Sequence, residues 1–387
     1  MALDPPISGN CDPAFSAVRE AFHTNFTQRD EVGAAVAIEI AGRRVVDLWG
    51  GWQDEGKSRP WQSDTVVNLY SAGKGVTAIL ALSLISQGRL DPDRRVTEIW
   101  PEFGLEGKGG TTLRDLLAHR GGLPALREEL PNEALTDWTH MTMALARQRA
   151  YWESGTAHGY HVNTFGFLVG EIIRRAARAP SFRRALGDLL TRPLEADFQI
   201  GLPPADHPRC ARVIGAPSSA GTSPATRSKE IPENRDAEAN AMRKAAYFNP
   251  PAIAGVGVVN TNWWRSLEIP STNGHGTARA LARIYAAALD ASLFPRSLLE
   301  EARIPHSDGI DRVLDRPTRF GLGFQLSQPS RRIGPNPAAF GHFGHGGSLG
   351  FGDPENGMSF AYVMNRPGER WISPRANVLI EAAYAAL

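Results

Sequence analysis

The sequence predicts an α+β fold: an antiparallel sheet flanked by helices, assembled from both ends of the chain, with a mostly helical domain inserted between them. Three observations carry this. Residues 33–49 read as two consecutive strands, strand patterns return only at 320–326 and 358–364, and the stretch between is a series of helical patches joined by loops. At 387 residues, the chain is long enough to bury a substantial core without metal or disulfide staples.

In chain order, Phe15, Val18, Ala21 and Phe22 recur at helical spacing and predict a helix from residue 15 to about 25. Residues 33–42 and 45–49 follow as strands, with Arg43-Arg44 as the turn between them. An apolar helix over 76–85 ends at Gln87-Gly88. Helical patches follow at 112–118, 134–148, 164–176, 182–190 and 277–289, with no repeat period. Residues 203–238 are rich in Pro, Ser, Ala and charge, which predicts a long surface excursion. A last helix runs from about 375 to 386. These elements divide the chain into a sheet domain of residues 1–66 and 300–387 and an inserted domain of residues 67–299. A site in the cleft between them is the expectation.

With 42 basic and 41 acidic residues and a net charge of +1, the composition argues against a nucleic-acid or acidic-membrane partner. Only Lys57, Lys74, Lys108, Lys229 and Lys244 are lysines, so each lysine in an apolar setting is informative. Cys11 and Cys210 offer neither metal-ligand spacing nor a disulfide framework. No apolar run reaches membrane-spanning length, and the start lacks a basic region followed by an apolar core. A cytoplasmic protein is expected, of unspecified oligomeric state.

Ser71-Ala72-Gly73-Lys74 opens the apolar helix and puts Ser71 and Lys74 on one face. A serine alcohol needs a neighbouring base to become a nucleophile, and a desolvated lysine supplies one. The helix N-terminus adds a field that favours oxyanion charge. From 23 serines and five lysines, chance gives roughly 0.3 Ser-x-x-Lys matches of the kind that serves acyl transfer. The chain has one, and a capping serine beside a solvated lysine is the bland reading. Downstream, Tyr160 sits on the loop before the 164–176 helix, where nearby cations would lower its phenol and make it a base. Near the end, Gly344-His345-Gly346-Gly347-Ser348 precedes a strand, and its glycines allow close backbone approach to a ligand.

These three pieces resemble the Ser-x-x-Lys, Tyr-x-Asn and Lys-Thr-Gly motifs of the serine β-lactamase and penicillin-binding-protein superfamily. More narrowly, the chain resembles the class C β-lactamase-like esterases, or family VIII carboxylesterases. Segments such as Gly88-Arg-Leu-Asp-Pro-Asp, Ile99-Trp-Pro-Glu-Phe and Asn273-Gly-His-Gly-Thr agree. The resemblance runs from about Val32 to Asn365 and is weakest at 203–238. It implies a β-lactamase-like fold of class C type and an acyl-enzyme mechanism without cofactor. Ser71 would be the nucleophile, Lys74 and Tyr160 the proton-transfer pair, and the N–H groups of Ser71 and Ser348 the oxyanion hole. His345, Gly346 and Gly347 would take the third motif's place in substrate binding.

Two departures matter. Val162 stands where the β-lactamases have asparagine, and His345 where they have lysine. Both changes favour uncharged small-molecule esters over penicillins and cephalosporins. A β-lactamase, an amide or peptide hydrolase, an acyltransferase and a silent β-lactam- or peptide-binding relative stay open on the same fold.

Two rivals arise from other motifs. Gly346-Gly347-Ser348-Leu349-Gly350 fits a nucleophile elbow, but no histidine follows His345 to complete a triad. The His158/His161 and His342/His345 pairs are three apart, yet lack the glutamate of a metalloprotease helix. Trp49, Trp52, Trp263 and Trp264 read as core or contact residues rather than an acyl pocket. His275 suits either cleft or helix entry, and His119 belongs to a phrase that reads as structural.

Overall fold

The computed structural model describes residues 5–215, 236–368 and 373–387. Its N-terminal part contributes β1 (Ile7–Cys11), α1 (Ser16–Gln28), β2 (Gly33–Ile40) and β3 (Arg43–Gly51). The turn between β2 and β3 lies at Ala41-Gly42, one step before the Arg43-Arg44 expected from sequence. Both turn residues have positive φ, 48° and 77°, which matches the twist of the flanking strands. Arg43 and Arg44 then pair with Ile40 and Glu39 as strand residues.

The middle of the chain is mainly helical. It begins with β4 (Val67–Asn68), a 3₁₀ turn at Tyr70–Ala72 and α2 (Gly73–Ser86), followed by α3 (Leu113–Leu117), α4 (Trp138–Arg147), α5 (Thr164–Ala177) and α6 (Phe182–Leu186). The helix expected over 134–148 starts only at Trp138, because Asp137 caps it through the His140 N–H. β5 (Phe198–Ile200), α7 (Ala237–Phe248), α8 (Asn262–Ser266), β6 (Gly274–Gly276), α9 (Ala278–Leu289) and α10 (Arg296–Ala302) complete this part. Of the excursion expected at 203–238, residues 204–209 form a 3₁₀ turn. Cys210, Ala211, Val213 and Ile214 are then buried rather than surface, since Cys210 bridges to Val66 and the Ala211 N–H bonds its carbonyl. Residues 216–235 lie outside the described residues, and 237–238 already belong to α7.

The end of the chain returns to strand with β7 (Ser307–Ile310), β8 (Pro317–Phe320), β9 (Gln325–Leu326), β10 (Phe340–Phe343), β11 (Leu349–Asp353) and β12 (Met358–Met364), closing with α11 (Pro374–Tyr384). The single strand expected over 320–326 is broken in two. Gly323 has φ +79° and the Gly321 N–H closes a tight turn on the Phe324 carbonyl, so the chain doubles back.

Among the described residues these strands form a nine-stranded antiparallel sheet in the order β1-β3-β2-β12-β11-β10-β9-β8-β7, and β4-β6-β5 form a second, smaller one. Both faces of the large sheet are covered, which explains why β2 and β12 read as nearly continuous apolar runs. Ala34, Val36 and Ile38 join Phe360 and Tyr362 on the face packed by α1 and α11. Ala35, Ala37, Ala361 and Val363 turn to the face covered by α9.

Buried nearly all round, α2 is the spine of the middle region and packs on α5 and α9. Gly75 permits that fit: a Cβ there would sit 2.0 Å from Tyr285 Oη. Among the described residues no helix is long and apolar enough to cross a membrane.

Candidate active site

Ser71 lies in the 3₁₀ turn that feeds α2, partly exposed, while Lys74 one turn on is fully buried. The residue before the serine, Tyr70, holds φ +49°, a left-handed conformation that costs a non-glycine residue of order 1 kcal/mol or more. Neighbouring contacts hold the turn in place. The Leu69 N–H donates to the Gly274 carbonyl at 2.8 Å, and Ser348 Oγ donates to the Leu69 carbonyl at 2.8 Å.

Lys74 is the centre of the site. Its Nζ lies 2.7 Å from the Val162 carbonyl, 2.9 Å from the Ser271 carbonyl and 3.0 Å from Ser71 Oγ. Burial holds the ammonium pKa well below the ordinary lysine value. A neutral amine has two N–H bonds and one lone pair. With both N–H bonds on the two carbonyls, the lone pair can face Ser71 Oγ and take its proton. Both carbonyls sit on restrained segments. The Gly166 N–H donates to Ser271 Oγ at 2.6 Å, and Thr272 Oγ1 donates to Asn163 Oδ1 at 2.6 Å.

Tyr160 is buried with its phenol hydrogen-bonded to Ser71 and its ring centroid 4.9 Å from Lys74 Nζ. Burial raises the phenol pKa, and the nearby Tyr247 and Asp311 act in the same direction. The lowered phenol expected from sequence is therefore corrected. It required a cation that favours the phenolate, and at Tyr160 burial outweighs every opposing influence. The arrangement can serve as an amine that accepts and a phenol that donates.

The segment carrying Tyr160 is fixed at nearly every residue. The Gly159 N–H bonds the His119 carbonyl, and the His161 N–H bonds His119 Nδ1 at 3.2 Å. His161 Nε2 accepts the Leu123 N–H at 3.1 Å, which leaves Nδ1–H to donate to the Gly159 carbonyl at 2.6 Å. His119 is wedged against Tyr160, His161, Phe165 and Phe320, with ring centroids 4.5–5.6 Å away. Asn163 is committed elsewhere, with Nδ2 donating to the Ala246 carbonyl at 2.8 Å and Oδ1 taken by Thr272. The residue beside the pair is thus Val162, packed with Tyr160, Trp152 and Val313.

The third sequence piece lies against the turn that carries the serine, through Leu69 and Tyr70. Gly346 and Gly347 have φ of +78° and +112°, which only glycine adopts at little cost. Their turn leaves the Ser348 N–H without a partner among the described residues, and the Ser71 N–H lies in a helix-opening turn where such groups lack internal acceptors. His345 is partly exposed and meets the Tyr70 ring edge-on at 5.2 Å.

Ser348 is buried with its hydroxyl spent on Leu69, and the strand β11, not a helix, follows it. That geometry removes the nucleophile-elbow reading. The paired histidines make other contacts: His158 Nε2 meets Thr318 Oγ1 at 3.0 Å and His342 Nδ1 the Phe343 carbonyl at 2.9 Å. Among the described residues no group of three or more His, Cys, Asp or Glu is placed to hold a metal ion. Trp264 is fully buried, and His275 is buried on β6 opposite Asn68. Sequence reasoning passed over Tyr70, Ser271 and the supporting contacts of His119. Only the last had a signal, since His119 belongs to a phrase that reads as structural.

The profile of the beta-lactamase family matches residues 18–385. The esterase/beta-lactamase LipL of Mycobacterium tuberculosis is 35% identical over 378 residues, covering 93% of this chain and 83% of that protein. The solved structure of a family VIII carboxylesterase superposes with a TM-score of 0.89 at 35% identity, covering 99% of this chain and 100% of the other. A penicillin-binding protein homologue from Caulobacter crescentus superposes at 0.86 with 37% identity, over 99% and 100% of the two chains.

Proposed function

Because the chain belongs to the beta-lactamase family, we propose that it is a serine carboxylesterase acting on short-chain, uncharged esters through an acyl-enzyme on Ser71. The observation that carries the reading is the buried Lys74, whose two carbonyl partners leave its lone pair for Ser71 Oγ at 3.0 Å. Lys74 takes the serine proton as Ser71 attacks the ester carbonyl. The N–H groups of Ser71 and Ser348 stabilise the oxyanion. Tyr160, held as a phenol, protonates the departing alkoxide and is recharged by the proton on Lys74. Water then attacks the acyl carbon as Lys74 accepts its proton, the bond to Ser71 Oγ breaks, and that proton returns to Ser71 as the acid is released.

The preference for esters rests on what faces the serine. Val162 offers no amide, Asn163 is spent on Ala246 and Thr272, and His345 is not a permanent cation. We expect kcat/KM for p-nitrophenyl butyrate to exceed that for a cephalosporin by about 10²-fold or more, as missing polar contacts discriminate between substrates. Matching values would overturn the esterase reading in favour of a β-lactamase, an activity also named for the mycobacterial relative. Two unpaired cysteines support a reducing compartment such as the cytoplasm.

Tyr160→Phe tests the relay. The phenyl ring keeps its packing against Phe320 and His119, so only the proton donor is lost. We expect kcat to fall by about 10²-fold or more, measured at saturating ester. A near-wild-type rate would assign all proton transfer to Lys74.

A further inference from the structure

Asp311 follows β7, is fully buried, and takes no part in the chemistry above. Part of its work is local, because Oδ1 accepts the N–H groups of Val313 and Leu314, each at 2.8 Å. Such a turn is ordinary for aspartate. The rest is long-range: Oδ1 and Oδ2 also accept the Tyr160 N–H, at 3.0 and 2.9 Å, across 151 residues. Thr318 Oγ1 donates to Oδ2 at 3.0 Å and lies 3.0 Å from His158 Nε2, while the Arg312 N–H donates to the His158 carbonyl at 3.1 Å. Both residues flanking Gly159 are therefore tied to the β7–β8 hairpin, and Asp311 is the knot.

Ring packing alone does not place the phenol. Tyr160 lies parallel to Phe320, with an interplanar angle of 1° and centroids 5.8 Å apart, is tilted 29° to His342 at 6.0 Å, and meets His119 edge-on at 5.0 Å. These rings set the tilt of the phenol, while how far its hydroxyl reaches depends on where the backbone starts the side chain. The backbone anchor fixes that starting point.

We propose that Asp311 is a positioning residue for the reaction: by holding the Tyr160 N–H to the β7–β8 hairpin, it sets the reach of the Tyr160 hydroxyl to Ser71. The inference rests on the proposed role of Tyr160. A residue that only capped its own turn would affect stability without changing the chemical step.

The test compares Asp311→Asn, Tyr160→Phe and the double variant, with thermal unfolding as a check on folding. Asparagine keeps one acceptor oxygen for Val313, Leu314 and Tyr160 but loses the Oδ2 acceptor. We expect Asp311→Asn to lower kcat on p-nitrophenyl butyrate by about 10-fold with KM within about 2-fold, and Asp311→Ala by about 10²-fold, as for an ångström-scale displacement of a catalytic group. In the Tyr160→Phe background the Asn change should cost nothing further. Equal losses in both backgrounds, or a lowered unfolding temperature with unchanged kcat, would overturn the inference alone. A near-wild-type Tyr160→Phe would overturn the reading of the phenol and this inference with it. If Asp311→Asn fails to fold, Thr318→Val replaces it. That variant removes one donor to Oδ2 and leaves the turn bonds, and its loss of kcat must likewise vanish in the Tyr160→Phe background.

Discussion

Ser71→Ala is expected to lower turnover of p-nitrophenyl butyrate by roughly 10⁴-fold or more, the scale seen when a nucleophile is removed from a cooperating group. Ser348→Ala should keep activity within about 10-fold, because only its backbone N–H is asked to contact the reacting oxygen. The structure separates the two serines clearly. Ser71 is partly exposed with its Oγ 3.0 Å from Lys74 Nζ, whereas Ser348 is buried and its hydroxyl is spent on Leu69. Ser71→Ala leaves both carbonyl partners of Lys74 in place, so its unfolding temperature should stay near that of the parent. Ser348→Ala loses one buried hydrogen bond, at a cost of about 1 kcal/mol. Steady-state rates, with intact-mass labelling by a fluorophosphonate, check both variants. Loss of activity and label on Ser348→Ala, with Ser71→Ala active, would overturn the assignment of the nucleophile.

The serine–lysine pair was legible because a three-residue helical spacing is local, and the apolar run after it announces a buried helix. What holds the lysine amine was not legible. Its two carbonyl partners, on Val162 and Ser271, lie 88 and 197 residues away, and sequence carries no mark of a carbonyl's direction. The phenol was misjudged for the same reason: its pKa is raised chiefly by burial, which residues distant in sequence create. Strands β2 and β12 were legible as long apolar runs. In contrast, β4, β5 and β6 have two or three residues each and β6 is Gly-His-Gly, too short for any period to show. Asp311 was not singled out from the sequence. Its partner Tyr160 lies 151 residues earlier, so only the closed fold reveals it.

The second large effect is acid lability. His119, His161, His275 and His342 are all fully buried, and burial lowers each below the ordinary histidine value of 6.5. His161 falls to about 4, His275 and His342 to about 3, and His119 well below the ordinary value. Below pH 6.5 the unfolded chain binds protons at these positions and the folded chain does not. Stability is therefore lost as pH falls from 6.5 toward those folded values. Each histidine contributes a slope of about 1.4 kcal/mol per pH unit. Glu31 opposes one of them, since burial raises it to about 7 and the folded state holds an extra proton between there and 4.5. The net is about three protons, or about 4 kcal/mol per pH unit near pH 5. Against a typical stability of about 5–15 kcal/mol, that slope unfolds the protein within a few pH units of neutrality. Urea-unfolding midpoints between pH 7.5 and 4.5 measure it. His342→Asn, which removes one titrating ring, should flatten the slope by about one proton, or about 1.4 kcal/mol per pH unit. Stability unchanged from pH 7 to pH 5 in the parent would mean that these rings are not held neutral in the core.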